Sequence, residues 1–138
     1  MEHFTKTAEA LIDKATVTII SSVDEAGFPN TKAMLAPRKR DGIKQFFFTT
    51  NTSSMRVSQF KANSKACVYF FNDRLFIGVM LRGIMEVLQD SKTKEMIWRA
   101  GDEMYYPLGV TDTDYSVLKF TAQSARFYSN FKSENAEL

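Results

Sequence analysis

The longest pattern in the sequence is an alternation of apolar and other residues between positions 75 and 88. The odd positions are almost all apolar, whereas the even positions mix apolar residues with Arg82 and Glu86. This two-residue period is typical of a β-strand with one face against a core, and the mixed second face is typical of an interface or a ligand wall. Gly78 and Gly83 indicate a bend or bulge, which a strongly curved sheet needs. The fold should therefore be mainly β.

Further strands are predicted where short alternating or aromatic segments lie between turn residues. These segments are 16–23, 30–36, 43–50, 65–71, 115–121 and 125–131. Helical spacing predicts helices over 2–14, from Ser53 or Ser54 to about position 63, and from Asp90 or Ser91 to about position 99. Because strand pairs follow one another directly, a doubly wound parallel sheet is disfavoured. We predict one domain over residues 1–138: a closed or nearly closed antiparallel β-barrel with small flanking helices.

Composition narrows the functional classes. One cysteine, Cys67, excludes a disulfide framework and a cysteine-rich zinc site, and one histidine, His3, makes a histidine-based metal centre or catalytic dyad unexpected. A net charge of +2 gives no argument for nucleic acid. The apolar runs are too short for a signal core or a membrane span, so we expect a cytoplasmic protein without a membrane partner. Aromatic residues, at 13%, favour a site or interface with flat apolar walls.

The strongest local signal for chemistry is the third strand running into a serine-rich helix start. A helix N-terminus offers unpaired N–H groups and a partial positive charge. Hydroxyls from Thr50 and Ser54 and the cation of Arg56 would complete a phosphate cradle. The alternative is that Ser54 is only an N-cap and Arg56 is solvated. Lys32, on the second strand, is either a second phosphate cation or an exposed strand residue.

Other polar and aromatic groups give weaker signals. Trp98 and the pair Tyr105-Tyr106 either wall a planar ligand or anchor the core. The basic run 38–40 and the acidic residues at 102–103 and 112–114 are interpreted as solvated loops. Cys67 is interpreted as a small hydrophobic residue of a strand. Catalytic acid–base residues remain unidentified.

Three motifs together resemble a known family. DExGxPNTKxML (24–35) and FxTxxxSxRV (48–57) resemble the pyridoxamine 5′-phosphate oxidase-like, flavin-binding split-barrel superfamily. The segments WR (98–99), YYPLGVTD (105–112) and YxxLKF (115–120) look like its small bacterial general-stress-protein branch. The similarity extends over roughly residues 10–132.

The resemblance implies a six-stranded split barrel that forms a homodimer, with two flavin mononucleotide (FMN) sites at the interface. Lys32 matches a strand arginine that contacts the flavin phosphate. Met34 and Leu35 match a stretch whose backbone lies along the isoalloxazine ring. Thr49 and Thr50 match the phosphate side of the third strand. The remaining implied cofactor-binding residues are Ser54 and Arg56, from a Ser-Arg-Lys phosphate motif, and Trp98 near the ring.

The sequence also departs from the family pattern. Met55 stands where the phosphate motif has arginine, and Gly78 stands where the oxidases have a glutamine that contacts the flavin. The oxidases carry an Arg-x-His substrate pair near the C-terminus, whereas this chain has tyrosine at position 128. Pyridoxamine phosphate oxidation itself is therefore not expected.

Three functions remain open after the sequence analysis. The first is a flavin-dependent oxidoreductase acting on an unknown small-molecule redox substrate. The second is a non-catalytic stress-related protein that binds flavin (FMN or FAD), haem or a deazaflavin. The third is an interaction protein with an empty barrel groove.

Overall fold

The computed structural model describes residues 2–138, which form an eight-stranded sheet and three α-helices. The helices are α1 (Glu2–Lys14), α2 (Met55–Ala62) and α3 (Ser91–Ile97). The strands in chain order are β1 (Val17–Val23), β2 (Pro29–Leu35), β3 (Lys39–Asp41), β4 (Gln45–Asn51), β5 (Lys65–Asn72), β6 (Ile77–Leu88), β7 (Tyr115–Ser129) and β8 (Lys132–Glu137). The predicted class, mainly β within α+β, is confirmed.

All strand pairings are antiparallel, in the order β2-β1-β5-β6-β7-β4-β3. β8 pairs with the second half of β7, beyond the part that pairs with β4. Side chains from β1 and from β4 to β7 meet in one buried cluster, so the sheet curves around it. α1 contributes Phe4, Ala8, Leu11 and Ile12 to this cluster, and α2 contributes Phe60. Across residues 2–138, the helices are too short or too polar to cross a membrane.

The phenylalanine-rich segment forms β4 because every second side chain faces the core. Phe46 and Phe48 are buried there, and the Phe46 ring lies 5.7 Å from Phe70 and 6.3 Å from Phe120, centroid to centroid. Burial of each such side chain stabilises the fold by roughly 1.5–3 kcal/mol. This packing fixes the end of β4, from which α2 begins.

The sheet has eight strands, whereas the sequence pattern predicts seven segments and the family resemblance implies six. The basic run 38–40, interpreted as a solvated loop, leads into β3, and the polar C-terminal segment, where the sequence predicts no strand beyond position 131, forms β8. The predicted strands 115–121 and 125–131 are one continuous strand, β7. The missed strands are short or exposed, so apolar alternation does not mark them, and backbone hydrogen bonds alone define them.

The predicted bulge lies at Gly83. Arg82 pairs with Ser124 and Gly83 pairs with Ala122, which leaves Gln123 without a partner in the register. Gly78, by contrast, lies in a regular pairing between Phe71 and Tyr128. The bulge bends β6 and β7 together and increases the curvature of the sheet.

The opposite side of the sheet carries an exposed apolar patch. Leu35 lies opposite Val17, Tyr69 lies opposite Ile19, and Phe71 is two residues further along β5. Cross-strand partners share one face of a sheet, so these side chains form a continuous surface. We call Val17, Leu35, Tyr69 and Phe71 the outer apolar face; their exposed fractions run from 38% for Tyr69 to 53% for Leu35.

Candidate cofactor-binding site

α2 begins four residues after β4, and Ser54 is its N-cap residue. The Ser54 backbone is extended (φ −70°, ψ 151°), and its hydroxyl accepts a hydrogen bond from the Val57 N–H at 3.4 Å. Within the described chain, the first turn of α2 carries no acidic residue. The partial positive charge of the helix end is therefore not compensated from within α2, and an anion is favoured there.

Asp114 holds the loop that leads into α2. Its two carboxylate oxygens accept hydrogen bonds from the Asn51 side chain and the Ser53 N–H, each at 2.8 Å. The hydrogen bonds from Asn51 and Ser53 lower the pKa of the Asp114 carboxyl. The carboxylate therefore stays charged at neutral pH and fixes the loop that presents Ser54.

Two polar atoms close to this helix end in the sequence are buried without a partner. Thr50 Oγ1 and Arg56 Nε make no hydrogen bond with any part of the chain that the structure describes. Thr50 is only 2% exposed. A buried polar group without a partner costs roughly 1–3 kcal/mol. Phosphate oxygens accept from hydroxyl and guanidinium donors alike, so these residues fit a phosphate group.

Arg56 is half-buried, which contradicts the alternative of a freely solvated side chain. Burial lowers the pKa of its guanidinium, and Tyr106 opposes this shift. Burial also raises the pKa of the Tyr106 phenol, and a hydrogen bond with the Thr49 side chain opposes that shift. Tyr106 therefore hydrogen-bonds to the Thr49 side chain and lies within electrostatic range of Arg56. A partly desolvated cation gains more from a bound anion than a solvated one does.

The three predicted residues of β2 lie at the edge of the sheet. Lys32 is exposed and lies opposite Ile20. Met34 is partly buried against the core, opposite Thr18, whose Oγ1 is a second buried hydroxyl without a partner among the described residues. Leu35 belongs to the outer apolar face. This strand therefore presents a cation, an apolar stretch and an unpaired backbone edge side by side.

Trp98 is half-buried in an aromatic cluster. Its ring lies 6.2 Å from Tyr106 and 5.2 Å from Tyr115, and the last two rings are 4.8 Å apart. The cluster packs with Phe47, whose side of β4 is the reverse of the side that carries Thr50. Trp98 therefore packs on Tyr106, the partner of Thr49, on the side of β4 opposite the one that carries Thr50.

Sequence reasoning was wrong about the charged loops. Arg38 and Asp102, predicted to be solvated, form a buried ion pair with two N–H···O hydrogen bonds of 2.8 Å. Arg40 pairs with Glu9 and Asp13 of α1. The partners are 27 to 64 residues apart in sequence, so no local pattern marks them. The interpretation of Asp112 as solvated is also wrong, because this residue is buried.

Two surface cavities lie elsewhere. One of about 510 Å³ separates α1 from the β5–β6 turn, and one of about 570 Å³ lies over Cys67 and Arg82. Neither is lined by Ser54 or Arg56. Burial raises the pKa of the half-buried Cys67 thiol, which is the opposite of what a reactive thiolate needs. Among residues 2–138, no cluster of three or more histidine, cysteine or acidic side chains could hold a metal ion.

Comparison with known proteins adds an independent finding. The family described as pyridoxamine 5′-phosphate oxidase matches residues 4–129. A protein from Clostridium acetobutylicum, related to general stress protein 26 of Bacillus subtilis and assigned to the pyridoxinephosphate oxidase family, is 40% identical. The match covers 100% of this chain and 96% of that one, with a TM-score of 0.91. No curated protein matches the sequence significantly.

More distant structures share the fold alone. General stress protein 26 of Bacillus anthracis is 15% identical, with a TM-score of 0.81 and 99% of each chain covered. A heme binding protein from Mycobacterium smegmatis is 13% identical, with a TM-score of 0.77, over 96% of this chain and 57% of that one. The same architecture therefore occurs in proteins whose names indicate different roles.

Proposed function

Because the chain belongs to the pyridoxamine 5′-phosphate oxidase family, we propose that it binds FMN and acts as a flavin-dependent oxidoreductase on a small-molecule substrate. Proteins of this family usually bind flavin. The observation that carries the proposal is Arg56 Nε, a buried donor without a partner among residues 2–138, in the first turn of α2 two residues after its N-cap Ser54. A phosphate there would satisfy a donor that the chain itself leaves unsatisfied.

Each residue of the proposed site has a separate task. Thr50, Ser54 and Arg56 would hold the phosphate from β4 and α2, and Lys32 would add a second cation from β2. Arg56 can grip two phosphate oxygens, whereas Lys32 acts as a point charge. The backbone of 34–35 would support the ring. Bound flavin would supply the redox chemistry, so the protein's part is to bind, orient and shield it.

The outer apolar face supports a homodimer with flavin sites at its interface. Proteins of this family are generally dimeric. The outer apolar face joins β2, β1 and β5, and Leu35 belongs both to this face and to the stretch proposed to line the flavin ring. A second copy docked on this face would cover one side of the ring. A single chain would then form only half of the flavin site, and that half would be uncovered.

Replacing Arg56 tests the phosphate cradle. The Arg56→Ala variant should bind FMN about ten- to a hundredfold more weakly, because a charged hydrogen bond contributes roughly 1.5–3 kcal/mol. Riboflavin lacks the phosphate, so its affinity should change little. Titrations of both flavins, followed by fluorescence quenching, give the two dissociation constants. Arg74→Ala removes an exposed arginine in the β5–β6 turn and serves as the control.

Charge reversal at Lys32 tests the second cation in the same assay. Lys32→Glu should weaken FMN binding and leave riboflavin binding nearly unchanged, because the added carboxylate repels the phosphate. Equal losses of affinity for FMN and riboflavin in the Arg56 and Lys32 variants would contradict the proposed phosphate cradle. An unchanged FMN affinity in Lys32→Glu would leave Lys32 as an exposed strand residue.

A second candidate is a non-catalytic cofactor-binding protein, favoured by the structural likeness to the mycobacterial heme binding protein. Haem iron usually takes histidine, cysteine, methionine or tyrosine as a ligand, and His3 is exposed on α1. The visible spectrum of the purified protein, titrated with FMN and then with haem, distinguishes the cofactors. Reduction of bound flavin by a nicotinamide donor, followed by reoxidation, supports the enzyme. Retained flavin that no donor reduces supports the binder.

A further inference from the structure

α2 is tied to the β1–β2 hairpin by one side chain, Gln59. Its Oε1 accepts a hydrogen bond from Ser22 Oγ at 2.5 Å and another from Asn30 Nδ2 at 3.0 Å. Ser22 and Asn30 are cross-strand partners, and Ser22 is only 2% exposed. Val57 and Phe60 are buried on one face of the helix, but apolar contacts are non-directional. A satisfied polar network inside the protein instead specifies one arrangement.

This tie lies between the two proposed phosphate cations. Arg56 precedes Gln59 by three residues, so both side chains lie on neighbouring positions of one helix face. Lys32 follows Asn30 by two residues, so both side chains point to the same face of β2. The step along the helix is about 4.5 Å, and the step along the strand is about 6.6 Å. Arg56 is therefore about one helical turn, and Lys32 two strand residues, from the Gln59 contact that joins α2 to β2.

We propose that Gln59 is a positioning residue, which sets the distance between Arg56 and Lys32 so that both reach one phosphate group. The inference rests on the proposed FMN site. Both hydrogen bonds end on the amide oxygen, so an acceptor is required at this position. A carboxylate would accept the same bonds, but it would also pair with Arg56 one turn away and compete with the phosphate. A neutral amide meets the structural need without that competition.

Two variants separate these roles. Gln59→Met removes the hydrogen-bond acceptor but keeps a side chain of similar size. FMN affinity should fall about tenfold, which is the lower end of the losses seen when a residue that orients a ligand-binding group is replaced. Gln59→Glu keeps the acceptor and should preserve the thermal unfolding midpoint, yet FMN affinity should fall at least as far. Riboflavin affinity should change less than threefold in both variants. Gln89→Met, at an exposed position before α3, is the matched control.

A measurement without flavin tests the geometry directly. Spin labels at Lys32→Cys and Met55→Cys, in a Cys67→Ser background diluted with unlabelled chains, report the distance between β2 and the start of α2. The distance distribution should be narrow when Gln59 is present and wider in the Gln59→Met background. Adding Gln59→Glu to the labelled protein should keep it narrow, because both hydrogen bonds are retained.

The outcomes separate this proposal from the FMN proposal. A widened distance distribution in a protein that binds no flavin would support the positioning role and overturn the FMN site. An unchanged distribution with unchanged relative affinity for FMN and riboflavin would overturn the positioning role. Equal losses for both flavins at an unchanged distance would also overturn it, because the defect would then not concern the phosphate.

Discussion

Arg38 lies in the connection between β2 and β3 and contacts Asp102, in the 3₁₀ turn that follows α3. The contact is fully satisfied: Arg38 also donates to the Ile97 carbonyl at 3.1 Å, and Asp102 accepts from the Arg99 N–H at 2.8 Å. The two side chains are 9% and 5% exposed. Removing one member of such a pair leaves the other charge buried, which typically costs 3–5 kcal/mol.

Asp102→Asn should therefore lower the free energy of unfolding by about 3–5 kcal/mol at neutral pH. The hydrogen bond from Arg38 holds the pKa of the folded Asp102 carboxyl below its ordinary 3.8. A depressed folded pKa contributes stability above the unfolded pKa, and this stability is lost as the pH falls through the folded value. The difference between wild type and variant should shrink below about pH 3.8.

Urea unfolding at neutral and acidic pH measures this difference. Asp73→Asn, in the exposed β5–β6 turn, is the control and should change stability by less than about 0.5 kcal/mol. A gap between wild type and Asp102→Asn that stays constant into acid would contradict the role of the charge. It would then reflect packing alone.

At the scale of elements, the bulge between β6 and β7 shows how a glycine sets the sheet. A Cβ added at Gly83 would lie 2.0 Å from the Thr121 carbonyl oxygen and 2.9 Å from the Ala122 Cα. Both atoms are backbone, so β7 itself would have to move. A Cβ added at Gly78 would instead meet the phenol end of Tyr69, a side chain that can rotate.

Gly83→Ala should cost about 3 kcal/mol or more of unfolding free energy, at the upper end of overpacking losses. Gly78→Ala should cost less, and combining it with Tyr69→Leu should recover most of the loss because the obstructing ring is gone. Chemical denaturation of the three variants gives the comparison. Equal costs for the two glycine variants would mean that the close approach at Gly83 relaxes at little expense.

The elements differ in how well the sequence predicts them. α1, β4 and the start of α2 follow from local signals, because apolar spacing and the Ser54 cap act within a few residues. β3 and β8 escape prediction because their pairing is decided by the neighbouring strand. The sequence predicts two strands in place of β7, because the polar residues Gln123 and Ser124 interrupt the alternation of apolar residues. The bulge absorbs this interruption.

At the scale of the whole molecule, some residues of the candidate site can be predicted from the sequence and others cannot. Thr50, Ser54 and Arg56 are close in sequence, so a local motif is enough to propose them as a phosphate cradle. Tyr106 lies about fifty residues further along the chain, and only the tertiary fold brings it to the Thr49 side chain and within electrostatic range of Arg56. Gln59 was missed for the same reason, since its partners belong to another element. Long-range contacts of this kind leave no mark in a local pattern.

The outer apolar face is the feature that only an assembly explains. Tyr69 and Phe71 stack there, with ring centroids 5.9 Å apart and planes at 16°. The two residues remain 38% and 43% exposed, although the same strand buries Val68 and Phe70 on its other side. Contiguous exposed apolar surface of this kind typically marks a protein interface. We expect the second copy of the chain to cover it.

Phe71→Glu should therefore convert the proposed dimer to a monomer, because it places a charge within the outer apolar face. Sedimentation equilibrium over a range of protein concentrations measures the association directly. FMN affinity should fall with the dimer although Arg56 and Ser54 are unchanged, since one wall of the proposed site would be missing. Phe28→Glu, in the exposed β1–β2 turn, makes the same change outside the face and should keep both dimer and flavin. A Phe71→Glu protein that stays dimeric would place the interface elsewhere, and a monomer that binds FMN normally would place the flavin site within a single chain.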